Sequence, residues 1–140
     1  EGLYEAAVRS FAYAVLEEPD NGFANLAYGL VHFALGDYTA SAGALRRGLS
    51  AAPDIVDRPI DITRQYGKSE DLIAHVQKLR VYLAARPDDA DGWFVLGYVE
   101  FSSGHPQQAA DAFGKTASLD PNDSQAAVLR DAANRVTTTR

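Results

Sequence analysis

The sequence predicts an all-α chain, a solenoid of antiparallel helical hairpins closed by a C-terminal capping helix. Two observations carry this expectation. Pro19, Pro53, Pro87 and Pro121 stand 34 residues apart, each followed by Asp or Asn, so one unit of punctuation repeats along the chain. Between the prolines the apolar residues recur at helical spacing. In the stretch 90–122, Trp93, Leu96 and Gly97 share one helical face, Gly104 breaks that helix, Ala109 and Phe113 share a face of a second, and Pro121 ends it. Stacked repeats share a continuous core, so the 140 residues need not enclose one of their own.

Taken in order, Tyr4, Ala7, Val8, Phe11, Val15 and Leu16 mark one stripe of a helix that stops before Pro19. Gly2 stands 34 residues before Gly36, the connector glycine of the next unit, so residues 1–21 read as the second half of a repeat and the chain as a fragment of a longer protein. Residues 22–55 read as a complete hairpin, with helices near Phe23 to Leu35 and Tyr38 to Ala51 around a Gly36-Asp37 turn. Gly29 precedes Gly97 by two periods, and Ser41 and Leu45 fall where Ala109 and Phe113 fall later. A mid-helix glycine costs roughly 1 kcal/mol, which close approach of the paired helices would offset.

Residues 56–89 form a degenerate repeat. Ile62, Tyr66, Leu72, Leu79 and Leu83 keep the apolar places, but Thr63 replaces the glycine, His75 the small residue, and Pro59 enters the first turn. Its first helix is expected to start near Asp57, to be short and to be loosened by Gly67, with its wider side chains pushing the hairpin apart. Residues 90–123 are the fullest repeat. Residues 124–136 read as a capping helix, with Asp123 or Ser124 as N-cap, an apolar side of Ala126, Ala127, Leu129, Ala133 and Val136, and a polar side of Arg130, Asp131 and Arg135. Residues 137–140 are expected to fray.

Trp93, Leu96, Gly97, Ala109, Phe113 and Pro121 reproduce, at the right intervals, the pattern W-x2-L-G-x2-Y, A-x3-F, P, and in this the chain resembles the tetratricopeptide repeat family. Glu100 departs from the tyrosine of that pattern. The resemblance covers residues 1–136 and implies a right-handed superhelix whose first helices line a concave groove for a protein or peptide. On that frame the groove-facing side chains are Phe23, Leu26, Leu30 and Phe33, then Arg64 and Lys68, then Phe94, Tyr98 and Phe101. Two aromatic sections thus flank a charged one, in which Arg64 and Lys68, four apart, would share a carboxylate. The alternative is that the aromatic side chains pack on helices upstream of this chain. The carboxylate clamp of one subgroup is absent as a set, because Leu26, Leu30 and Ala34 hold apolar side chains in its places.

Other chemistry finds little support. The net charge of −6 argues against general affinity for nucleic acid or anionic lipid, and no apolar run is long enough to insert in a membrane. Without cysteine there is neither a disulfide framework nor a thiolate, and no feature assigns a compartment. His32, His75 and His105 share no metal-ligand spacing, and the first two fall on buried faces. Glu17-Glu18 and Asp88-Asp89 flank helix-ending prolines as solvated charges, and no serine stands in a nucleophile motif. Trp93 is placed in the core by its face and by the pattern. The sequence therefore points to a non-catalytic scaffold without cofactor; structural self-association as a homodimer through the open N-terminal flank is the rival.

Overall fold

The structure is a computed structural model that describes residues 2–56, 61–62 and 69–138. Among these the regular structure is helical: α1 (Gly2–Glu17), α2 (Gly22–Leu35), α3 (Tyr38–Ala51), a 3-10 turn at Pro53–Val56, α4 (Ser69–Ala85), α5 (Ala90–Ser102), α6 (Pro106–Leu119) and α7 (Ser124–Thr138). The chain divides into two compact units, Glu1–Ile55 and Val56–Arg140. The expected first helix of the third repeat, with Pro59, Tyr66 and Gly67, lies outside the described residues apart from Asp61 and Ile62.

In the first unit, α2 packs against both α1 and α3. Pro19 ends α1, and Asn21 opens α2 by accepting the Ala24 N–H on its side-chain oxygen at 3.1 Å. At the far end Gly36 takes φ 83°, a conformation that only glycine adopts without penalty. This lets the N–H groups of Gly36 and Asp37 reach the Phe33 and His32 carbonyls. Asp37 then caps α3, accepting from Ala40 N–H at 3.1 Å. The hairpin closes tightly: a Cβ at Gly29 would lie 2.8 Å from Leu45 Cγ, and Ser41 Oγ donates to the Gly29 carbonyl at 2.7 Å.

In the second unit α4 packs on α5, α5 on α6 and α6 on α7. The same devices return two periods later. Asp89 caps α5 through Gly92 N–H at 3.1 Å, Gly104 turns the chain at φ 81°, and a Cβ at Gly97 would lie 2.7 Å from the Phe113 ring. One period further, Asp123 caps α7 through Ala126 N–H at 3.1 Å. The caps Asn21, Asp89 and Asp123 thus share one register, and the third repeat has buried Ile55 there instead. An apolar side chain cannot satisfy a first-turn N–H.

Leu72, Leu79 and Leu83 form the buried side of α4, with Ile62 also interior. Helix α7 buries Ala126, Leu129, Ala132 and Ala133 and runs through Thr138, so residues 137 and 138 are helical where fraying was expected. In α1 the expected stripe is half-buried at Ala7, Phe11 and Val15, and Leu16 stands in water.

Candidate functional site

The groove residues expected on α2 do not share one environment. Phe23 is 64% exposed and Leu30 half-buried, whereas Leu26 and Phe33 are interior. The outward placement of Leu26 and Phe33 is therefore corrected. The reason is that α2 has neighbours on two sides rather than one. Leu26 lies against Gly48 of α3, where a Cβ would come within 2.7 Å of its Cγ.

Arg64 and Lys68 lie outside the described residues. Phe94, Tyr98 and Phe101 are all interior, so their outward placement is corrected too. From Phe94 to Ser102 every residue of α5 is buried. The signal was in the sequence: Phe94, Val95, Leu96, Tyr98, Val99 and Phe101 put apolar side chains on every face, the mark of an enclosed helix rather than a striped one. Phe94 meets Phe113 edge to face at 5.7 Å. Burial pushes the Tyr98 hydroxyl up from its ordinary ionisation range, with the Ser102 hydroxyl one turn on acting in the opposite sense.

Glu100 was legible only as a departure from the repeat pattern. The structure gives it a role. Its side chain is 7% exposed; Arg80 of α4 donates to one carboxylate oxygen, and His105 Nδ1 lies 3.1 Å from the other. The tyrosine register is thus occupied by a carboxylate that ties α4 and the α5–α6 connector to α5. In the first unit His32 holds this register and Asp37 the place of His105, so the histidine and the acid change places. That pair is looser, His32 Nδ1 to Asp37 Oδ2 being 3.9 Å, and the His32 ring packs against Tyr28 at 4.6 Å.

Trp93 is a second correction to the core. It is half-buried rather than interior: its indole N–H donates to the Pro87 carbonyl at 2.9 Å, and Lys115 Nζ lies 5.4 Å above its ring. Asn25 holds this register in the first unit and receives Arg47 Nε at 3.4 Å. The pattern's tryptophan place is thus a site where the second helix folds a cation over the first. His75 is half-buried, and its pKa is lowered by burial, with Asp71 opposing and Lys78 assisting. Among the described residues no three of His, Cys, Asp and Glu gather as metal ligands, and no helix is long and apolar enough to cross a membrane.

The chain is similar to the cytochrome c-type biogenesis protein CcmH of Escherichia coli (strain K12), with 28% identity over 100 residues, 71% of this chain and 28% of that protein. The CcmH of Shigella flexneri matches to the same extent. The chain thus spans under a third of the length of these curated relatives. Among solved structures it is similar to a crystal structure of MamA, with TM-score 0.40 and 21% identity over 96% of this chain and 84% of that one. A MamA RS-1 double mutant gives TM-score 0.37 and 19% identity over 99% and 87%. The tetratricopeptide repeat family model matches residues 1–54 and 77–128, passing over the stretch where Pro59 and Thr63 break the pattern. With that match, the repeated caps and the glycine-mediated hairpin contacts, the chain belongs to the tetratricopeptide repeat family, an all-α solenoid fold built for holding other proteins.

Proposed function

We propose that the chain is a non-catalytic interaction module that seats a protein or peptide partner on the side of α2 marked by Phe23 and Leu30. The observation that carries this reading is Phe23, a large apolar side chain left 64% in water in the first turn of α2 while Leu26 and Phe33 of the same helix are interior. Covering such a ring stabilises a complex by about 25 cal/mol per Å² removed from water. In this reading Leu26, Phe33, Phe94, Tyr98 and Phe101 shape the module from inside, and Arg64 and Lys68 supply contacts to an acidic group of the partner. The family's general use as scaffolding supports the absence of catalysis.

The test is Phe23→Glu in the full chain, with partners captured from the source organism, cross-linked and identified by mass spectrometry. Loss of a partner with unchanged helix content and melting temperature is expected. Retention of every wild-type partner would discard the α2 assignment.

A second reading, structural self-association through the α1 flank, has its own observation: Tyr13 and Leu16 are 69% and 76% exposed. Leu16→Lys should then turn a dimer into a monomer by sedimentation equilibrium; an unaltered mass rejects it. The CcmH relatives' name places them in cytochrome c-type biogenesis, and the same process is proposed for the longer protein to which such a module would belong. Deleting the module's coding region should then lower haem-stained c-type cytochromes, and undiminished staining rejects the link.

A further inference from the structure

The turn that leads into α2 differs from its sisters in both charge and apolarity. The 34-residue frame sets Asp57, Asp91 and Gln125 at the place of Phe23, and Ala51-Ala52, Ala85-Arg86 and Leu119-Asp120 at the place of Glu17-Glu18. Acid thus stands in the turn before α2 rather than in its first turn, where an exposed ring takes its place. Two contacts gather these groups at one end of the first unit. Asn25 Nδ2 donates to the Pro19 carbonyl at 3.0 Å, tying the turn to the start of α2. A Cβ at Gly22 would lie 2.7 Å from Ala52 Cβ, so α3 ends against the start of α2 and brings Asp54 to the same end.

The sister turns use their acids structurally. Asp89 caps α5 and receives the Tyr82 hydroxyl, Asp120 accepts the Asn122 N–H, and Asp123 caps α7. Before α2 the cap is the neutral Asn21. Glu17, Glu18, Asp20 and Asp54 are exposed, and the ion pairs among the described residues use none of them. Glu17 closes the last turn of α1, which holds no basic residue, at the end where the helix dipole disfavours a carboxylate. Arg9 lies eight residues, about 12 Å, back along α1, and Arg47 is engaged with Asn25. Resting on the placement of the docking surface on α2, we infer that the partner segment seated there is cationic and amphipathic. One apolar side chain of it covers the Phe23 ring beside half-buried Ala27 and Leu30, and adjacent lysines or arginines meet the four carboxylates. A neutral or acidic segment would leave those carboxylates uncompensated or repelled. The acidic group assigned to Arg64 and Lys68 is a separate contact.

The probe is a fluorescein-labelled amphipathic helical peptide of leucine and lysine, compared with its leucine–glutamate counterpart and titrated with the full chain by fluorescence anisotropy. The lysine peptide is expected to bind and the glutamate peptide to fail. Glu17→Gln/Glu18→Gln/Asp20→Asn should raise its Kd at least about tenfold, with the melting temperature unchanged or higher because the α1 dipole is relieved. The control Glu70→Gln/Asp88→Asn/Asp111→Asn removes as many exposed carboxylates from the second unit and should shift the Kd less than about twofold. Phe23→Ser, which adds no charge, should weaken the lysine peptide as the first variant does. Loss with Phe23→Ser but not with Glu17→Gln/Glu18→Gln/Asp20→Asn overturns the cationic partner and keeps the α2 surface. Retention with Phe23→Ser overturns the inference and counts against that surface as well. Equal losses from the two triple variants, or a wild-type chain that binds both peptides alike or neither, also overturn it.

Discussion

Removing either partner of the Arg80–Glu100 ion pair should not cost the same. The carboxylate is 7% exposed and the guanidinium 42%. Arg80→Ala leaves a buried charge supported only by His105, itself 54% exposed, and stranding a buried charge costs about 3 kcal/mol. Glu100→Gln removes that charge and frees a guanidinium already half in water, so its loss is about 1 kcal/mol. The difference, about 2 kcal/mol, is roughly thirtyfold in the folding equilibrium and a sizeable part of a typical stability of about 5–15 kcal/mol. The assay is urea unfolding of the two variants and of the double variant, with unchanged m-values required for comparison. Arg80→Ala should have the lowest midpoint, and adding Glu100→Gln to it should raise the midpoint again. Equal losses, or a double variant less stable than Arg80→Ala, would refute the assignment of Glu100 as a buried, charge-tied bridge.

Further outcomes are expected at four positions. Gly97→Ala sets a methyl 2.7 Å from the Phe113 ring and should cost about 1–2 kcal/mol net of its helix-propensity gain, partly recovered by Phe113→Leu. Gly114→Ala, with nothing within 4 Å of its Cβ, should instead raise the melting temperature. Trp93→Ala should cost about 2 kcal/mol, below the roughly 3–5 kcal/mol of a fully enclosed indole, because Trp93 is half-buried; a loss above 4 kcal/mol would return it to the core. For His75, burial lowers the folded-state pKa below the usual 6.5, so as pH falls through that value the unfolded chain takes up the proton first. The stability this histidine contributes is therefore present above about pH 6.5 and lost below it, and His75→Gln should flatten the urea-midpoint decline between pH 7.5 and 5.5 relative to the wild type.

The helices were legible because their stops are local. Pro19, Gly36, Gly104 and the cap at Asp123 act within a turn of themselves, and the helix bounds follow from them directly, whereas the caps Asn21 and Asp89 at the same register emerge from the structure. The glycine contacts were legible because the 34-residue frame aligns Gly29 with Leu45 and Gly97 with Phe113. The exposed surface was not. Periodicity says that one face of a helix is covered but not how many neighbours cover it, so Leu26, Phe33, Phe94, Tyr98 and Phe101 were placed outward and are interior. Glu100 stood out as an exception to the pattern, but its partner Arg80 is 20 residues away on another helix. Ile73 and Val81 of α4 look like core residues in isolation, yet they stand 66% and 61% exposed.

The most direct test of the interaction-module account is photo-cross-linking from position 23. With p-benzoylphenylalanine in place of Phe23, the account predicts covalent adducts to a discrete protein partner, absent when the same photoreactive residue replaces exposed Asp111. Adducts equal in identity and yield from the two positions, or none from position 23, would contradict it.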